Sequence, residues 1–335
     1  MREARPAATI VRERPVLEAA GGPLAGPGGS GVRRLGRIAA TAAVVLVVTL
    51  AAAQVDPPRV APTPDAVAPA GAAGSPGSAA ASADRRELAA APPGPDLLDR
   101  PPGSLPVARA DEDGLWLSWA LLDTGTGTGP DARWTGSANA ATERTEAEST
   151  MKAWIAADTL RAAAETGEPI TTGEREDIRA AVRSSDDAAA ERLYRRAGTD
   201  DVLDRLGSEC GVEVATSRPG WWSFTQLSAL DAAGMLGCVV ERAESWPGGA
   251  DLLGDLRAID ADGRSGVAGL IGAADVSEKN GWTEHGRGAW NVNCVVAWQD
   301  RALAVLTSYP AGRGLDHGWG VCRDVAAEVL AEPGV

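Results

Sequence analysis

Lysine is almost missing from this chain. Of its 32 basic side chains, all but Lys152 and Lys279 are arginine. Arginine cannot lose its proton in a protein, whereas a buried lysine can, so the two retained lysines mark places where a neutral amine is of use. Histidine is equally scarce, at His285 and His317. With no Cys-x-x-Cys pair and no Cys/His cluster, the chain offers no zinc site, and no metal or cofactor is expected. A Ser-His-Asp triad is disfavoured because there is no G-x-S-x-G elbow. Positive charge is also short: the formal net charge is −14. That balance excludes nucleic acid as a partner, because such affinity rests on cations against phosphates. Phenylalanine and tyrosine are nearly absent beside eleven tryptophans, and most of these, such as Trp116, Trp119 and Trp154, sit in apolar runs and read as core. There is no internal repeat.

What is present divides the chain into four parts. Residues 1–37, rich in Pro, Gly and Arg, carry seven arginines against three glutamates and read as a disordered cytoplasmic N-terminus. Ile38–Ala53 is a sixteen-residue run free of charge, extendable to Val55 and preceded by Arg33, Arg34 and Arg37. The positive-inside bias places everything beyond it outside the cytoplasm. Residues 38–55 read first as a single-pass signal anchor in the cell membrane. Cleavage near Ala51-Ala52-Ala53, giving a secreted protein, is the alternative. Residues 56–103 are dominated by Ala, Pro and Gly and bury too little apolar surface to fold, so they read as a spacer. Residues 104–335 form one folded domain, expected to be a monomer. Its four cysteines, Cys210, Cys238, Cys294 and Cys322, are even in number and exported, which favours disulfides. Three connectivities are open; Cys210–Cys238 with Cys294–Cys322 is preferred because each pair is nearest in sequence.

Within that domain, Gly114–Asp123 reads as a strand buried on both faces. A helix follows from Ser149 to about Ala164, stopped by Gly167-Glu168-Pro169. Glu174–Val182, Asp186–Arg196, Asp200–Leu206 and Thr225–Glu241 read as further helices. Ala289–Gln299 and Ala302–Tyr309 form a hairpin, and Val321–Leu330 closes the chain as a helix. Strand, helical block, strands and helix in that order imply an α/β (α+β) domain, an antiparallel sheet flanked by helices, with first and last elements adjacent.

Both lysines fall in short polar stretches inside this frame. In Ala147-Glu148-Ser149-Thr150-Met151-Lys152, Ser149 and Lys152 are one helical turn apart, at an end where the helix dipole favours developing negative charge. Serine beside a lysine of lowered proton affinity is a nucleophile and its base. Ser185-Asp186-Asp187 precedes an Ala-rich helix, where an N-cap is the plain reading. Lys279-Asn280-Gly281-Trp282 lies in a strand-like context, with Gly281 allowing close approach to the backbone.

The ordered set Ser-x-x-Lys, Ser-Asp-Asp and Lys-Asn-Gly resembles the Ser-x-x-Lys, Ser-Asp-Asn and Lys-Thr/Ser-Gly series of the penicillin-recognising serine enzymes, the class A β-lactamases and penicillin-binding proteins. The variant Lys279-Asn280-Gly281-Trp282, with Trp290-Asn291-Val292-Asn293 beyond it, resembles the membrane-anchored or exported class A-related serine hydrolases of actinobacteria, and the match covers about residues 110–332. The resemblance implies a β-lactamase/transpeptidase-like fold with a trimmed helical lobe. It makes Ser149 the acylated nucleophile, Lys152 its base or proton relay, Ser185 the proton donor to the leaving nitrogen, and Lys279 the holder of a substrate carboxylate that also tunes Ser185. Backbone N–H groups of Ser149 and Trp282 would form the oxyanion hole, with Asp187, Asn280 and Gly281 binding substrate.

Three departures bear on rate. Asp187 stands for an asparagine and would hold Lys152 charged. Asn280 stands for a hydroxyl residue, its amide still able to donate to a carboxylate. No Glu-x-x-Leu-Asn stretch lies between Ser185 and Lys279 to activate water. The expected function is therefore a serine acyl-enzyme hydrolase acting on β-lactams or peptidoglycan-type acyl peptides, with slow deacylation. The alternative is a weak or inactive binding or sensor domain of the same fold at the cell envelope.

Overall fold

The structure, a computed structural model, describes residues 95–286 and 288–335. The expected N-terminal region, membrane segment and most of the spacer lie outside the described residues. Among the described residues no helix is long and apolar enough to cross a membrane.

Nine strands and seven α-helices are formed among the described residues. The strands are β1 (Trp116–Asp123), β2 (Trp134–Gly136), β3 (Thr145–Glu146), β4 (Ala215–Thr216), β5 (Thr225–Leu227), β6 (Ser277–Glu278), β7 (Gly281–His285), β8 (Ala289–Trp298) and β9 (Arg301–Pro310). The helices are α1 (Met151–Thr166), α2 (Thr172–Arg183), α3 (Asp187–Arg196), α4 (Asp201–Cys210), α5 (Ala229–Ala243), α6 (Gly249–Arg257) and α7 (Leu315–Leu330). The main sheet runs β2-β1-β9-β8, with β6 and β7 both on the outer edge of β8, and every pairing is antiparallel. A small sheet, β3-β5-β4, stands apart. The expected α+β layout is present: β1 pairs along its length with β9, so first and last strands are neighbours.

Side-chain alternation along a strand sends neighbours to opposite faces, and both faces here are covered. On β1, Ala120 and Leu122 join the core under helices α1 to α6, while Trp119 and Leu121 join a second core under α7. On β9, Ala302, Ala304 and Leu306 face the first core, and Leu303 and Val305 the second. A near-continuous apolar strand is what two covered faces require. Each core carries one disulfide. Cys210–Cys238 ties α4 to α5, and Cys294–Cys322 ties β8 to α7, in the preferred connectivity.

Several expected boundaries move. The packed domain starts before Ser104, because Leu97 and Leu98 are buried in the second core and Leu97 N donates to Pro333 O at 2.9 Å. Thr225–Glu241 is not one helix: its first residues form β5, and Ser228 then caps α5 in a reciprocal capping box with Asp231. Helix α7 begins at Leu315 rather than Val321. Two glycines in its first turns weaken the helical pattern, but Gly318 is required there. A β-carbon at Gly318 would lie 2.6 Å from Tyr309 Oη and Val292 Cβ.

Candidate active site

The chain turns from β3 into α1 through a single 3₁₀ turn, Glu148–Thr150, which carries Ser149. Ser149 is therefore just outside the α-helix, and Lys152 is the second residue within it. α1 is buried nearly all round its first three turns, with Met151, Trp154, Ile155 and Ala156 at no exposure. Lys152 is likewise fully buried, so its amine reaches partners only at the helix start.

Those partners lie at the entrance to α3, Ser185 on the loop before it and Asp187 as its first residue. Lys152 Nζ donates to the carbonyl of Ser185, to Ser185 Oγ at 3.1 Å and to Asp187 Oδ1 at 2.6 Å, and lies 5.1 Å from the Trp222 ring centroid. Ser185 is not the N-cap: Asp186 takes that role, accepting from Ala189 N at 2.7 Å. Freed from capping, Ser185 holds a left-handed backbone, φ 53°. Non-glycine residues persist in that region only where the surroundings over-determine them. Here its carbonyl and hydroxyl both answer to Lys152.

The second lysine arrives from the far edge of the sheet. Lys279 sits between β6 and β7, is 2% exposed, and donates to Ser185 Oγ at 3.0 Å and to Asn280 O at 3.1 Å. The two lysines of the chain thus converge on one hydroxyl oxygen. Burial, then the nearby charge of Lys152, push the Lys279 amine down to about 7. Burial also lowers the Lys152 amine, against the opposing hydrogen bond and charge of Asp187. The expectation that Asp187 favours the charged form of Lys152 meets a 2.6 Å ion pair, but desolvation is the larger effect.

The Asn280 side chain turns into the protein. It is fully buried, with its amide nitrogen donating to Gly263 O at 2.8 Å and Glu278 Oε1 at 2.7 Å, while Oδ1 accepts from Val295 N at 3.2 Å. Its side chain fills the break between β6 and β7 by replacing a ladder bond, and its amide is engaged by the protein itself. Gly281 is where close approach is needed. A β-carbon there would stand 2.7 Å from Ser149 N and 2.8 Å from both Ala147 O and Glu148 Cβ.

Ser149, Asp187 and Trp282 line one cleft of about 670 Å³. Its outer wall was not legible in the sequence: Trp221, half exposed, with Trp222 and Phe224. Arg218 stacks its guanidinium 3.8 Å over the Trp221 ring. The loop is pinned by Asp200, whose carboxylate accepts from Gly220 N at 2.9 Å and from the Tyr194 hydroxyl. The remaining acids on the cleft are engaged, since Glu191 pairs with Arg195 at 2.6 Å. Sequence reading also missed Glu148, buried behind Ser149 against Thr283, His285 and Asn291. The available hint was one of two histidines placed two residues from Thr283 on the same strand face. A slightly larger hollow of about 770 Å³ lies between α2 and α6, lined by Arg175, Arg179, Arg183 and Asp255, and holds neither serine.

No protein-family model matches the chain, and no curated protein does. Solved structures do. The domain is similar to L2 complexed with relebactam, at 21% identity over 64% of this chain and 90% of that one, TM-score 0.49. It is similar to the class A β-lactamase from Mycobacterium abscessus at 18% identity over 65% and 93%, TM-score 0.47. An ancestral class A β-lactamase is 20% identical over 65% and 94%, TM-score 0.46.

Proposed function

We propose that the chain is a serine acyl-enzyme hydrolase of the penicillin-recognising type, acting on β-lactam or peptidoglycan-type acyl peptides and releasing the acyl group slowly. The convergence of Lys152 and Lys279 on Ser185 Oγ, at 3.1 and 3.0 Å beside the cleft that holds Ser149, carries this reading. Ser149 Oγ would attack the acyl carbonyl and lose its proton to Lys152. Ser185, between the two amines, would pass a proton to the departing nitrogen. Lys279 in its cationic form would hold the substrate carboxylate, and backbone N–H groups of Ser149 and Trp282 would receive the oxyanion. Slow release is supported by the acids of the cleft, each already partnered: Asp187 with Lys152, Glu191 with Arg195, and Glu148 with Thr283 and His285. Residues 38–55 would tether the domain outside the cell membrane.

The Lys152–Asp187 pair also motivates a second reading, a binding or sensor domain with little turnover. Intact mass of the whole chain after incubation with a penicillin separates the two. One slowly released adduct is expected, absent in Ser149→Ala. No adduct with any β-lactam or acyl-D-Ala peptide would favour the sensor reading, and rapid turnover would contradict slow deacylation.

Asp187→Asn tests the brake on Lys152 directly. The substitution keeps an acceptor for the amine but removes the charge that stabilises its proton. At pH 7 the acylation rate is expected to rise about tenfold, as for a change of about 1.4 kcal/mol in the barrier, and its rise with pH should begin at lower pH. Time-resolved mass spectrometry across pH 5–9 measures both.

A further inference from the structure

Glu148 is the residue least expected where it stands. A glutamate next to a cleft serine should be solvated, yet it is 3% exposed and adopts φ 54°, a left-handed backbone in a residue with a side chain. A buried carboxylate is costly unless it is hydrogen-bonded, and this one is. Oε2 accepts from Thr283 Oγ1 at 2.6 Å. Oε1 lies 2.8 Å from His285 Nε2 and accepts from Asn291 Nδ2 at 3.4 Å. Burial still holds the carboxyl above the usual range, the three partners opposing.

The partners lie on β7 and β8, whereas Glu148 belongs to the turn that carries Ser149. The carboxylate therefore straps that turn to two strands of the sheet. Gly281 lies against Ser149 N, and Thr283 is two residues further along β7. Trp282 sits between the point of contact and the first strap. Thr283 adds a link: its hydroxyl has one hydrogen and two acceptors in reach, Glu148 Oε2 at 2.6 Å and Trp282 O at 2.8 Å. Loss of the carboxylate sends that hydrogen to the Trp282 peptide. Asn291 Nδ2 also approaches His285 Nε2 at 3.0 Å and Glu146 Oε2 at 3.2 Å. A hydrogen on Nε2 would be donated to Glu148 Oε1, and the Asn291 amide would then give its two hydrogens to Glu146 Oε2 and Glu148 Oε1 and not to the ring.

We propose that Glu148, clasped by Thr283, His285 and Asn291, is the positioning residue that sets the spacing between Ser149 and Trp282, and with it the oxyanion pocket. The inference rests on the reading of Ser149 as nucleophile. Its strap geometry is testable without turnover.

Acylation by a penicillin, thermal melting and the ¹⁵N signature of the His285 ring are to be measured on the whole chain, with His317→Gln assigning the ring. Glu148→Ala should slow acylation about 100-fold, as a displacement near 1 Å does. Glu148→Gln, which keeps the length and an acceptor, should recover all but about tenfold of it. The wild-type ring should be protonated at Nε2, and Glu148→Ala should lose that preference. If Glu148→Ala does not fold, Thr283→Val is the second probe, and it too should slow acylation. Wild-type acylation in the variants, or a ring spectrum indifferent to Glu148, overturns the proposal. A wild-type chain that takes no acyl group sinks the proposed function instead, and the ring spectrum alone then decides for or against the strap.

Discussion

Gly281→Ala is expected to lower the acylation rate by about 100-fold or more and to reduce the melting temperature. The new methyl carbon would meet Ser149 N at 2.7 Å, Ala147 O at 2.8 Å and Glu148 Cβ at 2.8 Å. Two of these are backbone atoms, so no side chain can turn aside. Either β7 moves outward or the 3₁₀ turn moves inward, and both change the distance between Ser149 and Trp282. Misplacement of about 1 Å in a reacting geometry costs roughly 100-fold. Overpacking of this kind costs about 1–3 kcal/mol, or roughly 2–4 °C for each kcal/mol in a domain of this size. Single-turnover mass spectrometry and a thermal melt give the two numbers. A variant that acylates at the wild-type rate would show that the contact between turn and strand does not set the pocket.

Lys279→Met should divide stability from activity. The Lys279 amine is buried, faces the charge of Lys152, and among the described residues has no carboxylate within ion-pairing distance. Its folded value of about 7 lies below the ordinary lysine value of 10.5. Between those limits the unfolded chain holds a proton that the folded chain does not, so stability rises with pH across that window. Below pH 7 the penalty of the buried cation is fully present, amounting to up to about 5 kcal/mol. Methionine fills similar volume without charge. At pH 6 the variant is therefore expected to melt several degrees above wild type, with the gap closing as pH approaches 10. Acylation should meanwhile fall about 100-fold or more, because methionine neither donates to Ser185 Oγ nor holds a carboxylate. Melting curves from pH 6 to 10 check the first outcome, and adduct formation checks the second. Equal melting temperatures at pH 6 would contradict the buried-cation account.

Local chemistry was legible in the sequence where the determinant itself was local. The lysine census singled out both amines that meet at Ser185, and the near-continuous apolar run in Gly114–Asp123 identified a strand covered on both faces. The cysteine spacing gave both disulfides. Features set by distant partners were hidden. Nothing in Lys279-Asn280-Gly281 shows that the Asn280 amide bonds to Gly263 and Val295, which lie far from it in sequence. Glu148 and His285 are 137 residues apart, and neither carries a pattern that points to the other. Helix α7 began early because Gly318 admits Tyr309 and Val292, a packing need that no propensity scale contains.

The hydrogen bond from Leu97 N to Pro333 O, and the pairing of β1 with β9, make the domain a loop whose two ends already touch. Such a chain can be re-threaded. A short linker joining those ends, with a new break at the exposed Gly167–Glu168 connection, would leave both cores and both disulfides in place. Ser149 and Lys152 would then stand near the end of the polypeptide instead of its middle, so the order in which the two serines are synthesised can be reversed without altering the cleft.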